Sequence, residues 1–179
     1  MSSLDQKKLE EIIQKNIPGK DSSFRDFRPI YADPAVMSEI VAFLAGPFSG
    51  KVDLVASPES LGFILGSMAA RELGVGFAAI RSGDHFRTVT DDLLSASYID
   101  HRDMPRSLMI SRPVLPPGSR VLLADDYVET AATITACIAL IEEADAELTG
   151  IISLGADYNS ASKNMIDSGR LRTIYVNRK

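Results

Sequence analysis

Asp125 and Asp126 stand side by side after the apolar run Val121-Leu122-Leu123-Ala124, and Glu129-Thr130-Ala131-Ala132-Thr133 follows two residues later. Adjacent carboxylates can receive the hydroxyls of a sugar or hold Mg2+ through water. Small residues and hydroxyls at the start of a helix can cradle a phosphate, because the free N–H groups and partial positive charge there favour an anion. The set reads as a sugar-phosphate site. A plainer reading of Thr130 and Thr133, as caps for the helix, stays open beside it.

This chemistry needs a strand to carry the acids and a helix to receive the phosphate. Val121 to Ala124 has the composition of a buried parallel strand, and from about Thr133 onward Ile134, Ile138 and Ile141 share one helical face. Earlier in the chain "KVDLVAS" reads as a strand, Pro58-Glu59-Ser60 as a turn and Gly62 to Leu73 as a helix. "VGFAAI", "GIISLGA" and "RTIYV" supply further strands. Asp33-Pro34 opens a helix through about Ala45, and Leu9, Ile12 and Ile13 mark a short amphipathic helix before it. The alternation predicts an α/β fold, a mostly parallel sheet flanked by helices on both faces. In such sheets ligands bind beyond the carboxyl ends of the strands, so each strand-to-helix turn is a candidate wall of one site.

With 179 residues, 45% of them hydrophobic and 24% charged, the chain is expected to form a single domain over residues 1–179. A net charge of −5 argues against a general nucleic-acid binder. No apolar run approaches the ~20 residues of a membrane span, and "MSSLDQKKLEEIIQKN" lacks the apolar core of a signal peptide. A cytoplasmic protein with no membrane partner is expected. The lone cysteine, Cys137, falls on the helix after the acids and reads as core. Residues 81–107 hold both histidines and show no sustained period; they read either as a surface hairpin or as a functional lid. Asp157, after the last long strand, reads as a helix N-cap or as a ligand contact.

The strand, the two acids and the Thr-rich loop entering a helix resemble the phosphoribosyl diphosphate (PRPP) signature of type I phosphoribosyltransferases. "SSFRDFRPIYADPAVMSEIVAFLAG", "VDLVASPESLGFILGSMAARELGVGFAAIRS" and "PPGSRVLLADDYVETAATITACIALIEEADAELTGIISL" look like the adenine phosphoribosyltransferase branch, in that family's order over roughly residues 22–155. The resemblance implies the type I phosphoribosyltransferase fold with a small N-terminal hood, residues 1–33, and a flexible lid loop, residues 81–107. It implies Mg2+-dependent transfer from PRPP to a purine base in purine salvage, adenine being the first choice, giving a nucleoside 5′-monophosphate and pyrophosphate. It also implies a homodimer.

By the same resemblance Asp125 and Asp126 are the acids that take the ribose hydroxyls and hold Mg2+ through water. Glu129, Thr130, Ala131, Ala132 and Thr133 lie on the 5′-phosphate loop. Glu59, Ser60 and Leu61 match the pyrophosphate turn, and Arg81 matches a basic residue facing it. Ser23, Phe24 and Arg25 match the hood over the purine, and Tyr127 a position that lines the base. In the lid, Asp100, His101 and Asp103 are candidates to handle the purine proton in place of the family's glutamate, with Arg102 and Arg106 as cations brought in on closure. Closure would keep water from an oxocarbenium-like transition state.

The chain also departs from the pattern. Ala131 and Ala132 replace two glycines, which permits a cradle of right-handed residues but would strain any positive φ. Leu61 replaces an arginine, Ser82 replaces a second basic residue, and "SASYIDHRDMPRS" contains no glutamate. These losses also fit a different class of protein, a non-catalytic PRPP- or nucleotide-sensing regulator on the same fold.

Overall fold

The computed structural model describes residues 6–15, 26–83, 92–100 and 103–178. In chain order the elements are α1 (Gln6–Lys15), α2 (Arg28–Tyr31), α3 (Pro34–Ala45), β1 (Leu54–Pro58), α4 (Gly62–Leu73), β2 (Gly76–Ser82), β3 (Leu93–Ile99) and β4 (Pro105–Ser111). They continue with β5 (Arg120–Val128), α5 (Ala132–Glu143), β6 (Glu147–Asp157), α6 (Lys163–Asp167) and β7 (Leu171–Asn177). The seven strands form one sheet in the order β3-β4-β2-β1-β5-β6-β7. The run from β2 to β7 is parallel, and the β3–β4 hairpin adds to β2 in the antiparallel sense.

The central strands are apolar on consecutive residues because both of their faces are covered. Val121 and Leu123 of β5 pack into the core under α5, whereas Leu122 and Ala124 pack into the core under α1, α3 and α4. Ile151 and Ile152 of β6 divide in the same way. Cys137 of α5 is fully buried in the first of these cores, as its position in the helix predicts. Asp33 caps α3 by accepting from the amides of Ala35 and Val36 at 3.0 and 3.1 Å, and Pro34 occupies the first turn, where its missing N–H costs no helical bond.

Two short helices, α2 and α6, escape the sequence reading because neither is long enough to show a period. The expected irregular segment at 81–107 is corrected in part. Leu93–Ile99 and Pro105–Ser111 pair as a regular hairpin whose Leu94, Leu108 and Ile110 are buried against the α5 core. The alternation of small polar and apolar residues in "LLSASYI" and "PRSLMIS" carried that signal. Residues 84–91 and 101–102 of the expected lid lie outside the described residues.

Candidate active site

The carboxyl ends of β1, β2, β5 and β6 share one edge of the sheet, and the turns that leave them bring the candidate residues together. Asp125 and Asp126 occupy the last part of β5. Asp125 is 8% exposed, and its Oδ1 accepts the backbone N–H of Asp126 at 2.9 Å. It lies against the start of α4: a β-carbon on Gly62 would stand 2.9 Å from Asp125 Oδ1 and 2.9 Å from Ser57 Oγ. The Ser57 hydroxyl donates to the Ala124 carbonyl, tying β1 to β5 beneath the acids. Burial pushes the Asp125 carboxyl well above the usual carboxylate range, and the neighbouring Asp126 charge adds to the effect. Burial also raises Asp126. Two acids that resist ionisation at one strand end form a site that gains by receiving a cation or hydroxyl donors.

Glu59, Ser60 and Leu61 form the turn between β1 and α4, with a cis peptide between Glu59 and Ser60. The Glu59 carboxylate is held to β2: its Oε2 accepts Arg81 Nε at 2.7 Å and the Ser82 amide at 3.0 Å. Glu59 therefore ties the turn to Arg81 and β2. Leu61 begins α4 with its side chain 42% exposed, at the place where the resemblance calls for an arginine.

The phosphate turn corrects one expectation. Ala131, the residue before α5, has φ 58° and ψ 4°, the left-handed region, so the cradle is not made of right-handed residues alone. For an alanine this conformation costs about 1–2 kcal/mol, which surrounding contacts must offset. Two of them are bonds to the Ala131 carbonyl, from the Thr135 amide and the Thr135 hydroxyl, each at 2.9 Å. A third lies two residues further back: the Glu129 carbonyl accepts the Asn159 side-chain amide at 2.6 Å. The capping reading of Thr130 has one long bond to support it, 3.4 Å from the Ala132 amide to Thr130 Oγ1.

Tyr127, near the end of β5, is held on several sides. Its ring lies over Gly155, where an added β-carbon would meet Cε2 at 2.7 Å, and it stacks on Phe27 with centroids 6.1 Å apart and 26° between planes. Its hydroxyl donates to Asp157 at 2.6 Å. The half-buried ring is thus held by Phe27, Gly155 and Asp157. Asp157 caps no helix; it also accepts the Asn177 amide at 2.8 Å. Asp100 is engaged within the hairpin: its Oδ1 accepts the Met104 amide at 3.0 Å and its Oδ2 accepts Arg106 Nε at 2.9 Å. It closes the hairpin turn, which occupies both oxygens. Ser23, Phe24, Arg25, His101 and Arg102 lie outside the described residues.

The sequence reading missed Tyr31. Its hydroxyl is buried without a hydrogen-bond partner, and its phenol is pushed far up, first by burial and then by the charges of Asp126 and Asp125. Its place in "RPIYADP", at the end of the expected hood, was the available signal. Asn159 was missed as well, although it follows the carboxyl end of β6, where the strand-end rule points.

Residues 30–173 match the phosphoribosyl transferase domain family. Over 141 residues the chain is 36% identical to the adenine phosphoribosyltransferase of Rhodopirellula baltica, spanning 75% of this chain and 66% of that protein, just under two thirds of its length. It is 33% identical over 151 residues to the adenine phosphoribosyltransferase of Renibacterium salmoninarum, covering 79% of each. The crystal structure of adenine phosphoribosyltransferase from Thermoanaerobacter pseudethanolicus superposes with a TM-score of 0.80 at 28% identity, covering 93% of this chain and 98% of the other.

Proposed function

The chain belongs to the phosphoribosyl transferase family, and from that premise we propose that it is a purine phosphoribosyltransferase of salvage metabolism with adenine as its acceptor. In the reaction the C1′–O bond of PRPP breaks and the pair of electrons leaves with pyrophosphate. A ring nitrogen of the base bonds to C1′ and gives up its proton. The observation that carries this reading is the pair of adjacent acids at the end of β5, Asp125 buried and Asp126 half-buried, followed within a few residues by the left-handed Ala131 and the start of α5. The acids receive the ribose hydroxyls, and the α5 N-terminus receives the 5′-phosphate. Catalysis is positioning and charge stabilisation, with little covalent work for the protein.

Mg2+ fits this donor set in a limited way. Among the described residues no group of three or more His, Cys, Asp or Glu side chains is placed to hold a metal ion. Two adjacent carboxylates suit a Mg2+ that arrives on the substrate diphosphate and keeps most of its waters. Such an ion would neutralise charge on the departing pyrophosphate. The reading takes residues 1–33 as a hood, 81–107 as a lid and the working unit as a homodimer. It places the protein in the cytoplasm; no helix among the described residues is long and apolar enough to cross a membrane.

Pyrophosphate release from PRPP and Mg2+, with adenine, guanine, hypoxanthine and xanthine supplied separately, tests the reading. Release with adenine is expected. Release with another base alone would move the specificity, and no release with any base would defeat the assignment. The comparisons lend no support to the regulatory alternative, whose motive is Leu61. Leu61→Arg addresses it directly: a restored charge-assisted contact to the pyrophosphate is expected to lower the KM for PRPP by roughly tenfold or more. An unchanged or raised KM would mean that other cations already fill that place.

A further inference from the structure

Asn159 sits on the turn after β6 and has no part in the mechanism above, yet its side chain grips the phosphate turn from the neighbouring strand end. Its Nδ2 donates to the Glu129 carbonyl at 2.6 Å, while its Oδ1 accepts the amides of Ala161 at 3.0 Å and Ser162 at 3.2 Å. Ser162 is fully buried, and its hydroxyl donates to the Asp157 carbonyl. The Asp157 carboxylate accepts the Tyr127 hydroxyl at 2.6 Å, so the circuit returns to β5 one residue before the strand ends. The segment from Tyr127 to Glu129 is thus anchored at both ends to one short turn after β6. Two residues further on stands Ala131 with its positive φ, and Thr135 holds the Ala131 carbonyl from the helix side.

We propose that Asn159 is a positioning residue for the 5′-phosphate: acting through the Glu129 carbonyl, it holds the Ala131 turn in the left-handed form that aims the start of α5 at the ligand. The proposal rests on the phosphoribosyltransferase reading. It accounts for how a chain with alanine at this turn keeps a conformation that glycine would adopt unaided.

The test measures binding of Mg2+ and PRPP by calorimetry, with KM values for PRPP and adenine alongside. Asn159→Ala removes the tether. Asn159→Asp keeps an acceptor for the Ala161 and Ser162 amides but sets a carboxylate oxygen against the Glu129 carbonyl, so the turn after β6 survives and the tether does not. Each is expected to weaken PRPP by about tenfold, the scale of one lost hydrogen bond, with the adenine KM little changed. Adding Ala131→Gly to either variant is expected to recover most of the loss, because glycine holds positive φ without help. Unaltered PRPP binding in Asn159→Asp would overturn the proposal, as would a loss that Ala131→Gly leaves unrepaired. Wild-type protein that binds no PRPP would overturn the functional reading and this inference together, which separates the two failures.

Discussion

Protein carrying Asp125→Asn and Asp126→Asn should lose pyrophosphate release by about a thousandfold or more, the scale on which positioned polar groups act in water-excluded sites. The two acids act on one substrate, so the double variant should be little worse than the more damaging single one. The same protein should be more stable than the wild type at neutral pH. Burial raises the carboxyls of Asp125 and Asp126 above the values they have in the unfolded chain. At these two positions the folded state then binds protons more tightly than the unfolded state, so the contribution of the two acids to wild-type stability is greatest below about pH 4, where unfolded carboxyls protonate. It falls as pH rises through the raised folded values and stays reduced above them. Asparagine has no proton to lose and removes this fall. Melting temperatures of both proteins in metal-free buffer between acidic and mildly alkaline pH provide the check. Parallel curves would mean that the acids carry no such penalty in the fold; a thermal gain at neutral pH with activity intact would remove them from the chemistry.

Gly155→Val should destabilise the protein by about 3 kcal/mol, at the upper end of overpacking costs, and lower Tm by roughly 6–12 °C. The reason is geometric. A β-carbon at Gly155 would stand 2.7 Å from Tyr127 Cε2, 3.0 Å from its Cδ2 and 3.4 Å from Tyr175 Cδ1. The Tyr127 ring cannot simply swing away, because Phe27 stacks on it and Asp157 holds its hydroxyl. Adding Tyr127→Leu, which removes the ring edge, should return part of the lost stability, since residues in contact couple. PRPP affinity should fall in the single variant as well, because Tyr127 lies in β5 two residues before Glu129, whose carbonyl Asn159 holds. Gly155→Val protein that melts with the wild type would show that the ring and the glycine do not confine each other.

The strand that ends in the acids, the turn after it and the helix that follows were legible in the sequence because the signals are local. Val121 to Ala124 is apolar on consecutive residues, Asp33-Pro34 carries both the cap and the first-turn proline of α3, and Gly62 to Leu73 is bounded by turn residues. Strand and helix periods, caps and turn chemistry act over a few residues, so a single chain reveals them. The β3–β4 hairpin was harder to see, because its alternation is carried by serines and alanines of similar size.

What each site residue is occupied with was decided by the tertiary structure. Asp100 and Glu59 are acids that sequence alone offers to a ligand; folding commits the first to Met104 and Arg106, and the second to Arg81 and Ser82. Tyr127 is an aromatic at a strand end until Phe27, about a hundred positions away in the chain, is laid on it. Ala131 belongs with the right-handed residues by type and is left-handed by placement, between bonds from Thr135 and the tether from Asn159. Residue type limits which partners a side chain can take, whereas parallel pairing of β1, β5 and β6 brings together turns far apart in sequence and selects among them. The chemistry available to the site was therefore written along the chain, and its arrangement depended on contacts that exist only after the sheet has closed over its two cores.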